Sequence, residues 1–238
     1  MAGFSRFLHR MDRILENANK RQSRAILIIE TLRESTKNMQ LSGAADIVAT
    51  YGRDPFLVLV GCILSLRTKD TVSVPAAKRL FNYAREPHDL MRLAVDFIQQ
   101  CIYPVGFYRQ KARQLVKLSS DIVELFGGQV PSGETDLLSL PGVGRKTMNL
   151  VRGEGFGIPA LCVDTHVHRI ANRLGLVRTI SPEGTERALK ECVPPQYWVE
   201  LNHLLVMWGQ NVCVPVSPKC SICAIAPLCP RIGVIRSR

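Results

Sequence analysis

The sequence has no long apolar run. The longest, residues 56–64, is interrupted by Gly61 and bounded by Asp54 and Arg67. That is far short of the roughly 18 residues a membrane span requires, so it reads as a buried helix. Strand signals are scarce as well: Thr and Val runs are short and never alternate over a full strand, which excludes a β architecture. There is no internal repeat and no low-complexity stretch. The first 24 residues carry Arg6, Arg10, Arg13 and Arg24 without the apolar core of a signal peptide, and Asp12 and Glu16 count against a presequence. A reducing compartment is therefore expected, and disulfides are not. Acidic residues are few: 20 Asp and Glu face 31 Lys and Arg, for a net charge of +11. A soluble protein this basic meets a polyanion, with nucleic acid the first candidate and an anionic membrane surface the second. The basic residues are spread along the chain, which points to a folded patch. At the end, Arg231, Arg236 and Arg238 could form a short arm.

What is present is helical. With 46% hydrophobic and 21% charged residues over 238 positions, the chain has the composition of one domain or of two lobes. Residues 25–32 and 44–49 show helical spacing. Asp54-Pro55 is a helix start, with Asp as N-cap and Pro in the first turn. Asp70 is expected to cap the next helix, residues 90–98 and 111–126 to form two more, and Gly127-Gly128 to end the latter. The fold class is all-α.

Eight cysteines divide into two kinds. Cys62, Cys101, Cys162 and Cys192 stand alone among apolar neighbours and read as small core residues. Cys213, Cys220, Cys223 and Cys229 follow C-x6-C-x2-C-x5-C in a proline-rich tail. The central pair lets two thiolates face one centre and the outer pair completes the set. Pro215, Pro218, Pro227 and Pro230 keep these loops out of helix, so that backbone amides can point at sulfur. Four thiolates suit zinc or an iron–sulfur cluster, and the spacing leaves both open.

A second constellation is Leu140-Pro-Gly142-Val143-Gly144-Arg145-Lys146-Thr147, between two helical patterns. The glycines permit a tight turn with amides exposed at the next helix start, a geometry suited to phosphate, while Val143 anchors the turn in the core. Such a hairpin grips DNA backbone without reading sequence; the same residues also suit a plain interhelical turn. Lys146 lies in the first helical turn beside Arg145. If its site is also dry, the ammonium is disfavoured and the neutral amine becomes a nucleophile able to form a Schiff base. A surface lysine is the simpler reading. Asp164, after an apolar stretch, is a candidate N-cap, and a carboxylate held there can also stabilise a cationic sugar or act as a base. His166 and His168 read as structural or DNA-facing.

The hairpin with Lys146, the Val163-Asp-Thr-His166 segment and the cysteine tetrad occur in an order and spacing that closely resemble the endonuclease III family of helix-hairpin-helix DNA glycosylases, over roughly residues 25–230. The resemblance implies a two-lobed all-α fold with a C-terminal iron–sulfur loop. Residues 1–24 would be an N-terminal extension, 49–156 a six-helix barrel lobe, and 25–48 with 157–238 a discontinuous lobe holding a 4Fe-4S cluster on Cys213, Cys220, Cys223 and Cys229. It implies a bifunctional DNA glycosylase and abasic-site lyase of base excision repair. Such an enzyme removes oxidised pyrimidines from duplex DNA, with Lys146 as nucleophile and Asp164 as catalytic carboxylate. Leu140, Gly142, Val143, Gly144, Arg145 and Thr147 match the phosphate-holding hairpin. Arg67 stands where the family commonly has the glutamine that fills the gap left by the flipped base, and Phe107 stands where a second wedge is supplied. The implied partner is duplex DNA with a damaged pyrimidine or an abasic site, bound by a monomer with no membrane association. The implied location is the cytoplasmic nucleoid of a prokaryote or the nucleus or mitochondrion of a eukaryote. Two alternatives compete. A mismatch glycosylase acting on adenine or thymine is one, although adenine enzymes carry a glutamate in the early buried helix and residues 55–69 contain no Asp or Glu. A non-catalytic metal-containing DNA-binding module is the other.

Overall fold

The computed structural model describes residues 2–41 and 43–238, with side chains from residue 19 onward. Among the described residues there are helices and turns and no strand. No helix among them is long and apolar enough to cross a membrane. The chain divides into two compact units, residues 41–162 and residues 1–40 with 163–238. The long helix α1 (Ala2–Thr36) opens the second of these and takes in the stretch expected as an extension. The side chains of residues 1–18 in that stretch lie outside the described residues.

The middle unit is built around α3 (Pro55–Ser65). Asp54 starts it as expected: Oδ1 accepts from the amides of Phe56 and Leu57 at 2.9 and 3.0 Å, and Pro55 occupies the first turn. Every residue from Phe56 to Leu64 is buried, because helices close around all sides of α3. These neighbours include α2 (Gly43–Tyr51), α4 (Asp70–Phe81), α7 (Tyr108–Phe126) and α9 (Arg145–Leu150). Gly61 is required by one such approach, since a Cβ there would overlap the Ile47 side chain.

Two expectations need correction. Asp70 does not cap α4. Lys69 takes the extended cap conformation (φ −68°, ψ 144°), and Asp70 is the first helical residue, with Oδ2 accepting from the Gly43 amide at 3.2 Å. Residues 90–98 are not one helix but parts of α5 (Pro87–Arg92) and α6 (Val95–Ile102). Leu93 and Ala94 between them are extended, with ψ near 138° and 137°. No Gly or Pro marks the break, and Leu90 and Ile98 reach the same core from its two sides. Helix α7 ends as expected at Gly127, left-handed at φ 61°. After α8 (Glu134–Ser139) and α9, the chain widens into a single π-helical turn, Val151–Gly155.

The second unit packs α12 (Trp198–Asn211) against α1 and against α10 (Thr165–Arg173), with α11 (Pro182–Lys190) beside α10. Ala25, Ile28, Ile29 and Leu32 are fully buried at i, i+3, i+4 and i+7, which is the apolar stripe α1 needs for this packing. Arg24 extends that anchorage by donating to the Leu228 carbonyl at 2.8 Å and to that of Leu174. The cysteine segment follows α12 as irregular chain with two short 3-10 turns, Cys220–Ile222 and Ala226–Leu228.

Candidate functional site

In the middle unit the glycine hairpin joins α8 to α9. Leu140, Val143 and Thr147 bury their side chains, so they hold the hairpin from below. Gly142, Gly144, Arg145 and Lys146 are exposed. Gly142 has φ 79°, and a Cβ there would overlap the Gln114 side-chain amide, which itself donates to the Pro141 carbonyl at 3.1 Å. Gln114 therefore fastens the hairpin to α7. Gly144 is the extended N-cap of α9, with open space where a Cβ would stand.

Lys146 lies in the first turn of α9 and is exposed, so the chain does not itself provide the dry surroundings that would favour a neutral amine. Its backbone is well fixed. The Lys146 carbonyl accepts from the Cys162 thiol (3.7 Å), and Asn149 Nδ2 donates to the Leu161 carbonyl at 3.0 Å. These bonds tie α9 to the end of the unit. Nearby Cys62 is buried on α3, and burial pushes its thiol up to about 12, with Lys146 opposing and Glu154 adding to the shift. That thiol stays protonated and inert at neutral pH. Cys101, Cys162 and Cys192 are buried too, as core residues should be.

Asp164 caps α10. Its Oδ1 accepts from the His166 and Val167 amides at 2.8 and 2.9 Å, and Oδ2 takes neither bond. Among the histidines after it, His168 Nδ1 pairs with Thr185 Oγ1 at 2.6 Å and His166 Nδ1 with Arg169 at 3.2 Å, so both sit in local networks.

Arg67 and Phe107 stand on two loops of the middle unit. Both are exposed, Phe107 by 59%, which removes it from the core. Both have left-handed backbones, φ 54° and 58°. For non-glycine residues that conformation costs of order 1–3 kcal/mol each, and such residues cluster at active sites and ligand clamps. The Arg67 guanidinium lies over the Phe107 ring, 5.9 Å from its centroid. Sequence reasoning missed what lies beneath them. Lys111 is 95% buried, and burial pushes its pKa down to about 8. The available signal was its position on the apolar stripe of α7, in step with Leu115, Leu118 and Ile122.

In the second unit, Cys213, Cys220, Cys223 and Cys229 line one recess, with about 410 Å³ of empty space including its open mouth. Among the described residues no three His, Cys, Asp or Glu side chains are set to share one metal ion. A single zinc ion would draw four sulfurs to within about 3.8 Å of one another at ordinary Zn–S lengths. A cluster spreads them, since each thiolate binds a different iron. The donors around the recess suit thiolates. Arg173 Nη1 donates to Cys213 Sγ at 3.4 Å, and the Arg231 amide to Cys229 Sγ at 3.4 Å. Burial raises the Cys223 thiol, while the Trp208 indole N–H and the Ile225 amide pull it back. That indole N–H is buried and Trp208 lines the recess. Arg169 and Arg173 carry positive charge beside the loop, holding the Cys213 carbonyl at 2.9 Å and the Val214 carbonyl at 2.8 Å. The residues around the recess fit a group held by thiolates.

The hairpin, the lysine it presents and the all-helical architecture define a helix-hairpin-helix base-excision protein. The model of the HhH-GPD superfamily of base excision DNA repair proteins matches residues 60–195. The endonuclease III of Thermotoga maritima is 44% identical over 191 residues, covering 78% of this chain and 90% of that protein. A solved non-covalent endonuclease III–DNA complex matches with a TM-score of 0.76 and 32% identity, covering 88% of this chain and 95% of its counterpart. A trapped endonuclease III–DNA covalent intermediate matches with a TM-score of 0.69 and 34% identity, covering 79% and 93%. The chain belongs to the endonuclease III family of this superfamily.

Proposed function

We propose that the chain is a bifunctional DNA glycosylase and abasic-site lyase that removes oxidised pyrimidines from duplex DNA. The observation that carries this reading is an exposed lysine in the first turn after a glycine hairpin, in a chain that also holds a capped aspartate at the start of α10. The exposed Gly142, Gly144 and Arg145 would take the DNA phosphates. The damaged nucleotide rotates out of the stack, at a cost of a few kcal/mol that is least for a damaged base. DNA seated on the hairpin would exclude water from Lys146. The neutral amine then attacks the sugar C1′, the C1′–N bond breaks, and the base departs with the electron pair and takes up a proton. Asp164 stabilises the positive charge on the sugar and shuttles protons through the oxygen not committed to the cap. The C1′–O4′ bond then breaks, O4′ takes the surplus proton of the nitrogen, and the ring-opened Schiff base acidifies the C2′ hydrogen. Loss of that proton expels the 3′ phosphate and cuts the strand by β-elimination.

Arg67 and Phe107 would fill the space the nucleotide leaves. Cys213, Cys220, Cys223 and Cys229 would hold a 4Fe-4S cluster. That group supplies rigidity to the loop when bound, and the scheme requires no electron transfer. The protein would work as a monomer wherever the genome lies: the nucleoid of a prokaryote, or the nucleus or mitochondrion of a eukaryote. The adenine-mismatch alternative loses ground because residues 55–69 carry no carboxylate and Lys146 is present.

Borohydride trapping on a duplex containing thymine glycol tests the reading. Wild type should form a covalent adduct with release of the base, and Lys146→Ala should form none. An iron-containing wild type that binds this duplex yet yields no adduct would overturn it. Iron and sulfide analysis of the purified protein tests the cluster, which gives a yellow-brown sample where a zinc site gives a colourless one.

A further inference from the structure

Among the described residues Lys111 is a buried lysine without a carboxylate partner, and its whole donor set goes to one place. Nζ donates to the Leu64 carbonyl at 2.8 Å, the Leu66 carbonyl at 2.6 Å and Thr68 Oγ1 at 3.3 Å. An ammonium has three N–H groups, and here three acceptors meet them. Leu64 lies near the end of α3, and Leu66 and Thr68 flank Arg67 on both sides, so one cation fixes the backbone from which the Arg67 side chain projects.

The second loop is tied to the same point. Thr68 Oγ1 also accepts from the Gly106 amide at 3.1 Å, and Gly106 immediately precedes Phe107. The contact is close: a Cβ on Gly106 would come within 3.1 Å of the Arg67 carbonyl and 3.2 Å of Thr68 Oγ1. The Thr68 hydroxyl proton goes to the Leu66 carbonyl at 3.3 Å, so this oxygen donates once and accepts twice. From the other side Arg79 Nε holds the Cys101 carbonyl at 2.9 Å, and its guanidinium also bonds the Tyr103 carbonyl. Both loop tips are left-handed and both side chains are exposed, and the guanidinium of one lies over the ring of the other.

We propose that Lys111, acting through Thr68, is a positioning residue that locks the Arg67 and Phe107 loops into one composite wedge for opening duplex DNA. The proposal rests on the function given above, and it deepens that reading by making the two tips one preassembled unit. The wedge matters only where a stacked partner strand must be parted. Its loss therefore affects duplex substrate and spares single-stranded substrate, on which Lys146 needs no gap filled.

The experiment measures borohydride-trapping rates of the full-length protein on one abasic oligonucleotide, single-stranded and paired with its complement. Thr68→Val removes the shared oxygen at nearly constant shape, and Lys111→Met removes the cation. Both should lower the duplex-to-single-strand rate ratio about fivefold to tenfold, the net worth of about one or two of the three hydrogen bonds each variant removes, with the single-strand rate within about twofold of wild type. Thr68→Ser keeps the oxygen and should keep the wild-type ratio. If Lys111→Met does not fold, Thr68→Val and Thr68→Ser carry the test alone. An unchanged ratio in Thr68→Val, or an equal fall on both substrates, overturns the wedge assignment and leaves the Lys146 chemistry standing. Failure of wild type to trap either substrate overturns the underlying function, and the wedge with it.

Discussion

At Asp164 the two oxygens of one carboxylate have separate work. Oδ1 receives two amides and starts α10, while Oδ2 takes neither bond. Substitution can separate the two. Asn caps a helix nearly as well as Asp but carries no charge and no proton to exchange. Asp164→Asn should therefore melt with wild type and slow base release by about 10²–10⁴-fold, the range for a positioned acid–base group. Asp164→Ala should lose the same rate and about 1 kcal/mol of stability besides. Thermal melting together with single-turnover kinetics on a thymine glycol duplex checks both halves. The capping role was legible in the sequence because Asp before a helical pattern has a local physical meaning. For Lys146 the sequence left a surface lysine and a dry nucleophile both open, since burial depends on segments distant in the chain; the lysine is exposed.

Among the elements, the hairpin before α9 depends on Gly142, which has a left-handed backbone and lies against Gln114. Gly142→Ala adds a Cβ to both constraints, so the turn must shift. The expected result is weaker binding to damaged and undamaged duplex alike, because a phosphate grip carries no base information. Fluorescence anisotropy on a matched pair of duplexes measures this, and a loss confined to damaged DNA would contradict it. The helix starts and stops that the sequence marked were those with stereochemical causes: Asp54-Pro55 and Gly127. The break at Leu93–Ala94 has none in its own residues. There the chain bends because its neighbours require it, and the apolar periodicity runs on through the bend. Lys111 was hidden for a related reason, since a lysine on an apolar stripe gains meaning only when α3 and its following loop supply three acceptors.

For the whole molecule, the net charge of +11 has a thermodynamic consequence. Each phosphate neutralised on duplex DNA releases counterions and steepens the log–log salt dependence of binding by about 0.9. Affinity for an undamaged duplex should fall steeply and linearly on that scale as salt rises, and replacing exposed Arg145 with Ala should lower the slope by about one. A titration series from low to physiological salt reads both, and a slope that is flat for wild type would contradict a phosphate-dominated interface. The charge predicted the polyanion without indicating where it binds. In the function proposed above, the hairpin and the two loop tips would supply that, and the placement of the tips required the fold.

The division of the chain also has a temporal side. Residues 41–162 are contiguous, whereas their companion unit draws on residues 1–40 and 163–238. A ribosome therefore releases everything the middle unit needs well before the other unit is complete. At about 5–20 residues per second the delay is on the order of several seconds. During it α1 is outside the ribosome, with Ala25, Ile28, Ile29 and Leu32 lacking α12 to cover them. The last cysteine, Cys229, emerges later still. Until α12 follows, the nascent chain carries the apolar stripe of α1 uncovered, and the recess that Cys213, Cys220, Cys223 and Cys229 line forms only afterwards.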